Sequence, residues 1–368
     1  MDGKAILFYC LLGLFPYLPS GTALGLDVRS ALSFKAGIEY DDNLFEGVTD
    51  RAGGLKAKIY LNSDFSLLDS QSNTISMQCQ IGLKNHLKRF SQDSLSTVNP
   101  FVGSINLHMA RRIAPGAVIG AWGRLKNRRL VNSRGPYVST EDGYLQRTAE
   151  LFLVVGLSRN LNWALSYRSS LVDFKAFSMF DFSTEEEEST LDMKLPGPLR
   201  TKITVLYRKT DFERASLRLE KIGDDLYLRP LSESQRDRLW QVSIGLGFYK
   251  DVWVKGGYSF LDNNSNSYGY SFQAHRFSLL LARVIRKDIV FQLYSTVQLK
   301  RYSQSLRLTL PLTPRPERVE DDLLVARLSR DISEHCTVTL QYGFYRSESS
   351  QRGRYYTRNS YSLGLTLF

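Results

Sequence analysis

The chain has 368 residues, 43% of them apolar, with 20 Tyr, 20 Phe and a formal net charge of +11. A helical membrane protein would need repeated runs of about 20 apolar residues. The longest uncharged apolar run beyond the N-terminus, Leu151 to Leu157, is too short, so membrane-spanning helices are excluded for the mature chain.

The N-terminus reads as a secretory leader. Lys4 precedes an apolar run from Ala5 to Phe15, Pro16 and Pro19 interrupt it, and Gly21, Ala23 and Gly25 supply small residues for cleavage. Cleavage is predicted after Ala23 or Gly25, giving a signal peptide over 1–25 and one mature domain over 26–368. Cys10 lies inside the apolar run without small residues before it, so lipid attachment is not predicted. The remaining cysteines, Cys79 and Cys336, fall on apolar strand positions. They read as isolated small apolar residues, although an oxidising compartment permits a disulfide. There is no CxxC and no His/Cys cluster, and no metal or cofactor is predicted.

From residue 31 onward the dominant signal is alternation with period two, the mark of half-buried strands. Sixteen segments carry it: 31–41, 54–64, 73–87, 99–111, 115–129, 146–158, 161–174, 189–195, 199–210, 239–250, 252–262, 271–286, 289–302, 321–330, 336–347 and 356–368. In the third, Ile75, Met77, Cys79, Ile81 and Leu83 face one way, and Ser76, Gln78, Gln80 and Gly82 the other. In the fifteenth, Cys336, Val338, Leu340, Tyr342 and Phe344 alternate with Thr337, Thr339, Gln341 and Gly343. The segment 271–286 is ambiguous, because Leu279, Leu280 and Leu281 run together.

The links alternate in length. Short turns such as Ile113–Gly116, Ser158–Leu161, Leu195–Pro198 and Arg286–Ile289 alternate with long polar links at 42–53, 88–98, 130–145, 175–188, 211–238, 263–270, 303–320 and 348–355. Lipid offers no partner for an open strand edge, so an exported sheet that enters a bilayer must close on itself. The expected fold is all-β: one transmembrane antiparallel up-and-down barrel of about 16 strands (14–18), with short periplasmic turns and long external loops. Aromatic residues near strand ends on the apolar face, among them Tyr40, Trp163, Tyr167, Tyr207, Trp240, Tyr258 and Phe344, fit the interfacial girdles of such a barrel. A soluble sandwich alternates in the same way and is the competing architecture. In the 211–238 link, Leu217, Leu219, Leu226 and Leu228 alternate around Gly223 and Asp225, which predicts a short hairpin that extends the wall or folds inward. Leu306, Leu308, Leu310 and Leu312 predict extended structure before Pro314 and Pro316. These links are candidate caps over the interior.

The stretch Ala36 to Phe45, with Tyr40, Asp41, Asp42 and Asn43 at its centre, resembles the first strand and loop of a family of outer-membrane β-barrel porins associated with envelope and exopolysaccharide functions. The terminal strand, Tyr361 to Phe368, resembles the insertion signal that barrel-assembly machinery reads through its final aromatic, here Phe368. It departs from the common form: Thr366, Gly364 and Ser362 stand where apolar residues are usual, and Leu367, Leu365 and Leu363 are shifted by one. A small irregularity at the C-terminus is therefore expected. The resemblance implies an outer-membrane location beside lipopolysaccharide and an export or envelope role. Two readings of Asp41, Asp42 and Asn43 stand open: a polar strand exit, or a contact with a divalent cation or lipopolysaccharide. Glu185 to Glu188 reads as the solvated tip of an external loop, with weak Ca²⁺ binding as the alternative.

Opposite the apolar face, alternation assigns Lys35, Lys56, Lys58, Lys84, Arg124, Lys126, Arg168, Lys194, Lys202, Arg208, Lys255, Lys300 and Arg327 to the barrel interior. The acids assigned there are fewer: Glu39, Glu150 and Asp192. A cationic wall in a confined channel raises the local anion concentration. The expected function is a porin-like channel passing small anions or an acidic polysaccharide, with no nucleic-acid partner. A structural envelope barrel with a plugged interior is the alternative; inward glycines such as Gly82, Gly245, Gly247 and Gly343 favour an open one. A hydrolase is the third class. A His with a Ser two residues later would project both from one strand face, but Lys88, Ala110, Phe277 and Thr337 follow the four histidines at that spacing. An Asp two residues before a His is also absent, and the chain is read as a non-enzyme.

Overall fold

The computed structural model describes residues 29–43, 53–89, 99–131, 143–174, 178–222, 225–304, 322–348 and 355–368. The predicted leader and the Leu306–Leu312 segment lie outside these residues. Sixteen antiparallel strands form a closed barrel in which each pairs with its neighbours in chain order and β1 pairs with β16. They are β1 (Arg29–Asp41), β2 (Gly54–Asp69), β3 (Asn73–Arg89), β4 (Asn99–Ala114), β5 (Ala117–Val131), β6 (Gly143–Ser158), β7 (Leu161–Phe174) and β8 (Phe182–Lys194). The second half comprises β9 (Leu199–Ile222), β10 (Asp225–Tyr249), β11 (Val252–Ser265), β12 (Phe272–Arg286), β13 (Ile289–Tyr302), β14 (Asp322–Ser333), β15 (Cys336–Glu348) and β16 (Tyr355–Leu367). Each of the sixteen predicted segments coincides with one strand.

At one end the strands are joined by the short links 70–72, 115–116, 159–160, 195–198, 250–251, 287–288 and 334–335. Gly116 (φ +83°) and Gly197 (φ +76°) supply the left-handed residues of two of them. Pro115 before Gly116 is the pairing a type II turn requires: a fixed φ at the second position and positive φ at the third.

Burial is inverted relative to a soluble protein. Large apolar side chains are exposed around the wall, among them Leu32, Ile59, Ile81, Ile105, Leu125, Val242, Ile244, Leu299, Leu340 and Leu363. Buried strand residues are largely polar, including Asp41, Asn62, Ser104, Thr148, Glu186, Thr190, Gln298 and Ser360. The register resolves the triple leucine. Leu279 and Leu281 share the outer face with exposed Phe277, whereas Leu280 lies opposite inward Lys255. Cys79 and Cys336 are both free thiols.

Two features depart from the alternation signal. The run Glu185–Glu188 lies within β8 rather than in a loop. The link 211–238 is an extension of two strands, β9 of 24 residues and β10 of 25, so its hairpin lengthens the wall. Pro230 has no N–H for the ladder, and the β9–β10 register shifts between Pro230 and Ser234 and again before Arg236. The β11–β12 link fills the gap. Tyr268 N donates to Leu217 O (2.8 Å), and Asn266 exchanges hydrogen bonds with Arg236 while its side-chain amide donates to Ser234 O (3.0 Å).

The chain ends meet at the β1–β16 seam, where Phe34 to Asp41 pair without a register shift against Leu367 to Ser360. The expected C-terminal irregularity is absent: Leu363, Leu365 and Leu367 occupy the outer face in step, and Phe368 lies just past the strand, its N–H bonded to His335 O (3.1 Å). The shift by one residue is absorbed by ending the strand before the final aromatic. At the other end of the seam, side chains continue the ladder where β1 stops. Asp42 N donates to Asn359 O (3.1 Å), Asp42 Oδ1 accepts from Asn359 N (2.6 Å) and Oδ2 from Asn359 Nδ2 (2.7 Å). Asn43 Nδ2 donates to Thr357 O (2.9 Å). Asp41 and Asn43 are 1% and 0% exposed. The Asp41–Asn43 stretch is thus a closing latch between the first and last strands.

The facing assignment predicts unequal costs for a new charge. Ile244→Arg or Leu340→Arg should destabilise the folded barrel in lipid by about 2–4 kcal/mol near the midplane. Ser243→Arg, on the inner face beside Ile244, should cost well under that in the same unfolding titration.

Candidate functional site

All thirteen sequence-assigned basic residues lie within strands, on the face opposite the exposed apolar side chains. The register sorts them into groups that the sequence alone does not separate.

Four neighbouring strands carry a row of alternating charge. Glu150 on β6 stands opposite Arg168 on β7, Arg168 opposite Glu186 on β8, and Glu186 opposite Arg208 on β9. Arg168 reaches Glu150 Oε2 (Nη2, 2.7 Å) and Glu186 Oε1 (Nη1, 2.9 Å). Arg208 Nε donates to Glu186 Oε2 (2.7 Å). Glu186, 5% exposed, therefore holds two guanidiniums. One row below, Thr190 Oγ1 donates to Glu188 Oε1 and lies 3.0 Å from Thr204 Oγ1. Sequence reading missed Glu186 because an acidic run between polar residues looks like a loop. The discriminating signal is that its alternate members, Glu186 and Glu188, share the parity of Thr190 and Asp192.

A second cluster lies on β1 and β2. Lys58 Nζ bonds Glu39, and Lys56 Nζ bonds Asp41 Oδ2 (2.9 Å), which also lies 3.7 Å from Arg358. Asp41, Asp64, Glu186 and Glu188 thus add carboxylates to the inner face beyond the three anticipated. Arg128, Arg200, Arg276 and Arg358 add cations beyond the thirteen. Lys300 pairs with Glu348 (3.4 Å) between the rings of Phe272 and Tyr302. Arg327 donates to Gln341 Oε1 (Nη2, 2.8 Å), and Lys126 lies 5.6 Å over the Tyr144 ring. Lys35, Lys84, Lys194, Lys202 and Lys255 make no ion pair with the described residues; Lys202 stands opposite Asp192 in register.

Of the four inward glycines expected to leave space, Gly245 meets no ring, whereas Gly82, Gly247 and Gly343 have a different role. A Cβ on Gly82 would strike the Tyr60 ring, and one on Gly120 the Phe152 ring. Each pair is directly opposite in register. At Gly247 and Gly343 the rings of Tyr249 and Tyr345 from the same strand occupy that space. At these glycines an aromatic ring takes the space that a side chain would fill.

Near the long-link end, one side of the interior is packed. A 3₁₀ turn, Ser178–Phe180, places Phe180 against Phe174 (6.3 Å). Asp181 ties it down: its carboxylate accepts from Phe174 N (2.6 Å) and its carbonyl from Glu213 N (3.0 Å). Burial holds this carboxyl above the usual carboxylate range, against the lowering effect of the Phe174 N–H. Arg214 is stacked between Phe212 (4.7 Å) and Tyr270 (4.9 Å), with Nε on Gln235 Oε1 (2.8 Å). His108 stacks on Phe152 (5.5 Å), and His275 bonds the Tyr258 hydroxyl (2.8 Å) on the outer face. Among the described residues no group of three or more His, Cys, Asp or Glu could hold a metal.

The charge row predicts a site-specific cost. Glu186→Gln removes the carboxylate shared by Arg168 and Arg208, and should lower unfolding stability by about 1–3 kcal/mol. Glu187→Gln, exposed on the opposite face, should be near neutral in the same assay.

No protein-family model and no curated protein matches the chain. Among solved structures it is similar to the outer-membrane expressed OmpT of Vibrio cholerae, at 7% identity over 92% of this chain and 97% of that one, with a TM-score of 0.47. It is also similar to a bacterial polysaccharide outer membrane secretin (6% identity, 91% and 97% covered, TM-score 0.46). Acinetobacter baumannii OccAB3 is a third (9% identity, 93% and 99% covered, TM-score 0.45). These likenesses concern the fold alone.

Proposed function

We propose that this barrel sits in an outer membrane and conducts small anions through its interior. The observation that carries the reading is the charge left over on the inner face. Glu39, Asp41, Glu150 and Glu186 are occupied by Lys56, Lys58, Arg168 and Arg208; among the described residues Lys35, Lys84, Lys194, Lys202 and Lys255 have no ion-pair partner, against Asp64, Glu188 and Asp192 on the acidic side. Paired charges hold the wall, and the unpaired lysines set the field that a solute meets. In a confined channel bounded by low-dielectric walls such a field concentrates anions. The same field would attract an acidic polysaccharide.

A second reading is a structural barrel with an obstructed interior. It is favoured by the inward packing of Phe180, Phe212, Arg214 and Tyr270, which fills part of the interior near the long-link end.

Planar-bilayer recording separates the two. The wild-type protein should conduct and prefer anions at low salt. Replacing Lys35, Lys84, Lys194 and Lys255 together with Gln should lower that preference without orphaning a buried carboxylate. The preference should also fade near 1 M salt, where the Debye length is about 3 Å. Cation preference at low salt would overturn the anion reading, and a barrel that never conducts would support the structural one.

A further inference from the structure

The basic groups of the inner wall are not spread evenly. Lys58 and Lys84 stand directly opposite each other on β2 and β3. One row below, Lys35, Tyr60, Gly82, Val102 and Arg128 follow one another across five strands. The Tyr60 ring occupies the space that a Cβ on Gly82 would fill.

The local carboxylates are already committed. Glu39 bonds Lys58, and Asp41 bonds Lys56 while lying close to Arg358. The charges acting on the Lys84 ammonium are Lys58, Lys56 and Arg128, all repelling, with Glu39 the attracting one. Like charges directly opposite in a sheet are destabilising. A half-buried ammonium without its own counter-charge is costly as well. An anion seated between these ammoniums would relieve both costs.

We propose that Lys84, Lys58 and Lys35 form a discrete binding site for a tetrahedral oxyanion, a phosphate or sulfate group, on the inner wall of β1–β3. Two ammoniums on adjacent strands present donors to different oxygens of one dianion, which a monovalent spherical ion cannot use. On the wall of β6–β9, by contrast, Arg168 and Arg208 are held by Glu150 and Glu186. The proposal deepens the anion-conduction reading and rests on it for the solute's route, but its binding chemistry is measurable without conduction.

The test uses the full mature protein folded in detergent and titrated calorimetrically with inorganic phosphate against a constant background of chloride. Saturable binding is expected. Lys84→Gln should weaken it by about tenfold or more, the loss of one charge-assisted contact. Arg218→Gln, on the extension of β9, should leave it unchanged. Thermal unfolding supplies a second readout that a structural lysine would not give. Phosphate should raise the unfolding temperature of the wild type but not of Lys84→Gln, and without phosphate the variant should be the more stable because repulsion is relieved. Should Lys84→Gln fail to fold, Lys35→Gln carries the same affinity test. Non-saturable uptake, or equal affinity in wild type and variants, would overturn the site. Chain-bound phosphate is distinguished from the free ion by repeating the titration with a phosphorylated oligosaccharide: tighter binding than phosphate assigns the site to a polymer, and equal binding to the free ion. Bilayer conductance is scored separately, so a barrel that binds phosphate yet never conducts refutes conduction and leaves the site standing.

Discussion

Everything in this molecule depends on the backbone having no partner in lipid. An unpaired strand edge inside a bilayer costs several kcal/mol for each orphaned group, so the sheet must return to its own first strand. The β1–β16 seam is where that closure is made, and it joins residues separated by nearly the whole chain. The ladder there is continuous from Phe34 to Asp41. Beyond it, Asp42 and Asn43 bond Asn359 and Thr357 through side chains, which extends closure past the last paired residue. The same need explains the β9–β10 irregularity, where Asn266 and Tyr268 bond backbone groups beside the register shifts around Pro230.

Closure then decides the chemistry of both faces. The outer face is apolar because it meets hydrocarbon, and the inner face collects the chain's charges. Inside, cross-strand register, not sequence proximity, chooses the partners. Arg168 finds Glu150 and Glu186, each 18 residues away, and Glu186 finds Arg208 at 22. Such a row stiffens the wall, since removing one member leaves a buried charge uncompensated. The row leaves Lys35 and Lys84, on the β1–β5 side, and Lys194 and Lys255, toward the short-turn end, without a carboxylate partner among the described residues.

Much of this was legible in the sequence. A strand's faces alternate with period two wherever one face is apolar, and that signal located sixteen strands and the turns built on Gly116 and Gly197. It failed where the physical contrast between faces vanished. Glu185–Glu188 is polar on both faces, so β8 resembled a loop over half its length. Leu279–Leu281 is apolar on both faces because Leu280, midway along β12, lies on the inner one. In the extension of β9 and β10 the alternation of Leu217, Leu219, Leu226 and Leu228 marked the hairpin, but Ser232–Arg238 is polar on both faces and looked like a link.

The candidate site was legible as a list and not as an arrangement. Alternation put all thirteen basic residues on the inner face. The pairing of Lys56 with Asp41 depends on register, which one slipped residue would invert. Asp41 itself looked like a strand exit because its partner Arg358 lies at the far end of the chain. Gly82 suggested space, but the Tyr60 ring of the neighbouring strand occupies it, a cross-strand fact that no single strand reveals.

The most direct measurement addresses the seam, on which the inside and outside of every strand depend. In a background with Cys79 and Cys336 replaced by Ala, Ala36→Cys is combined with Leu365→Cys, its partner in register, or with Leu363→Cys, on the same face but two residues displaced. A disulfide needs Cα atoms roughly 4.4–6.8 Å apart, whereas the displaced pair is about 7–8 Å apart. Under mild oxidation of the membrane-folded protein the account predicts an intramolecular bond in the Ala36→Cys/Leu365→Cys protein and much less in the other. Equal bonding in both, or preferential bonding in the displaced pair, would contradict the register, and with it the assignment of the inner face.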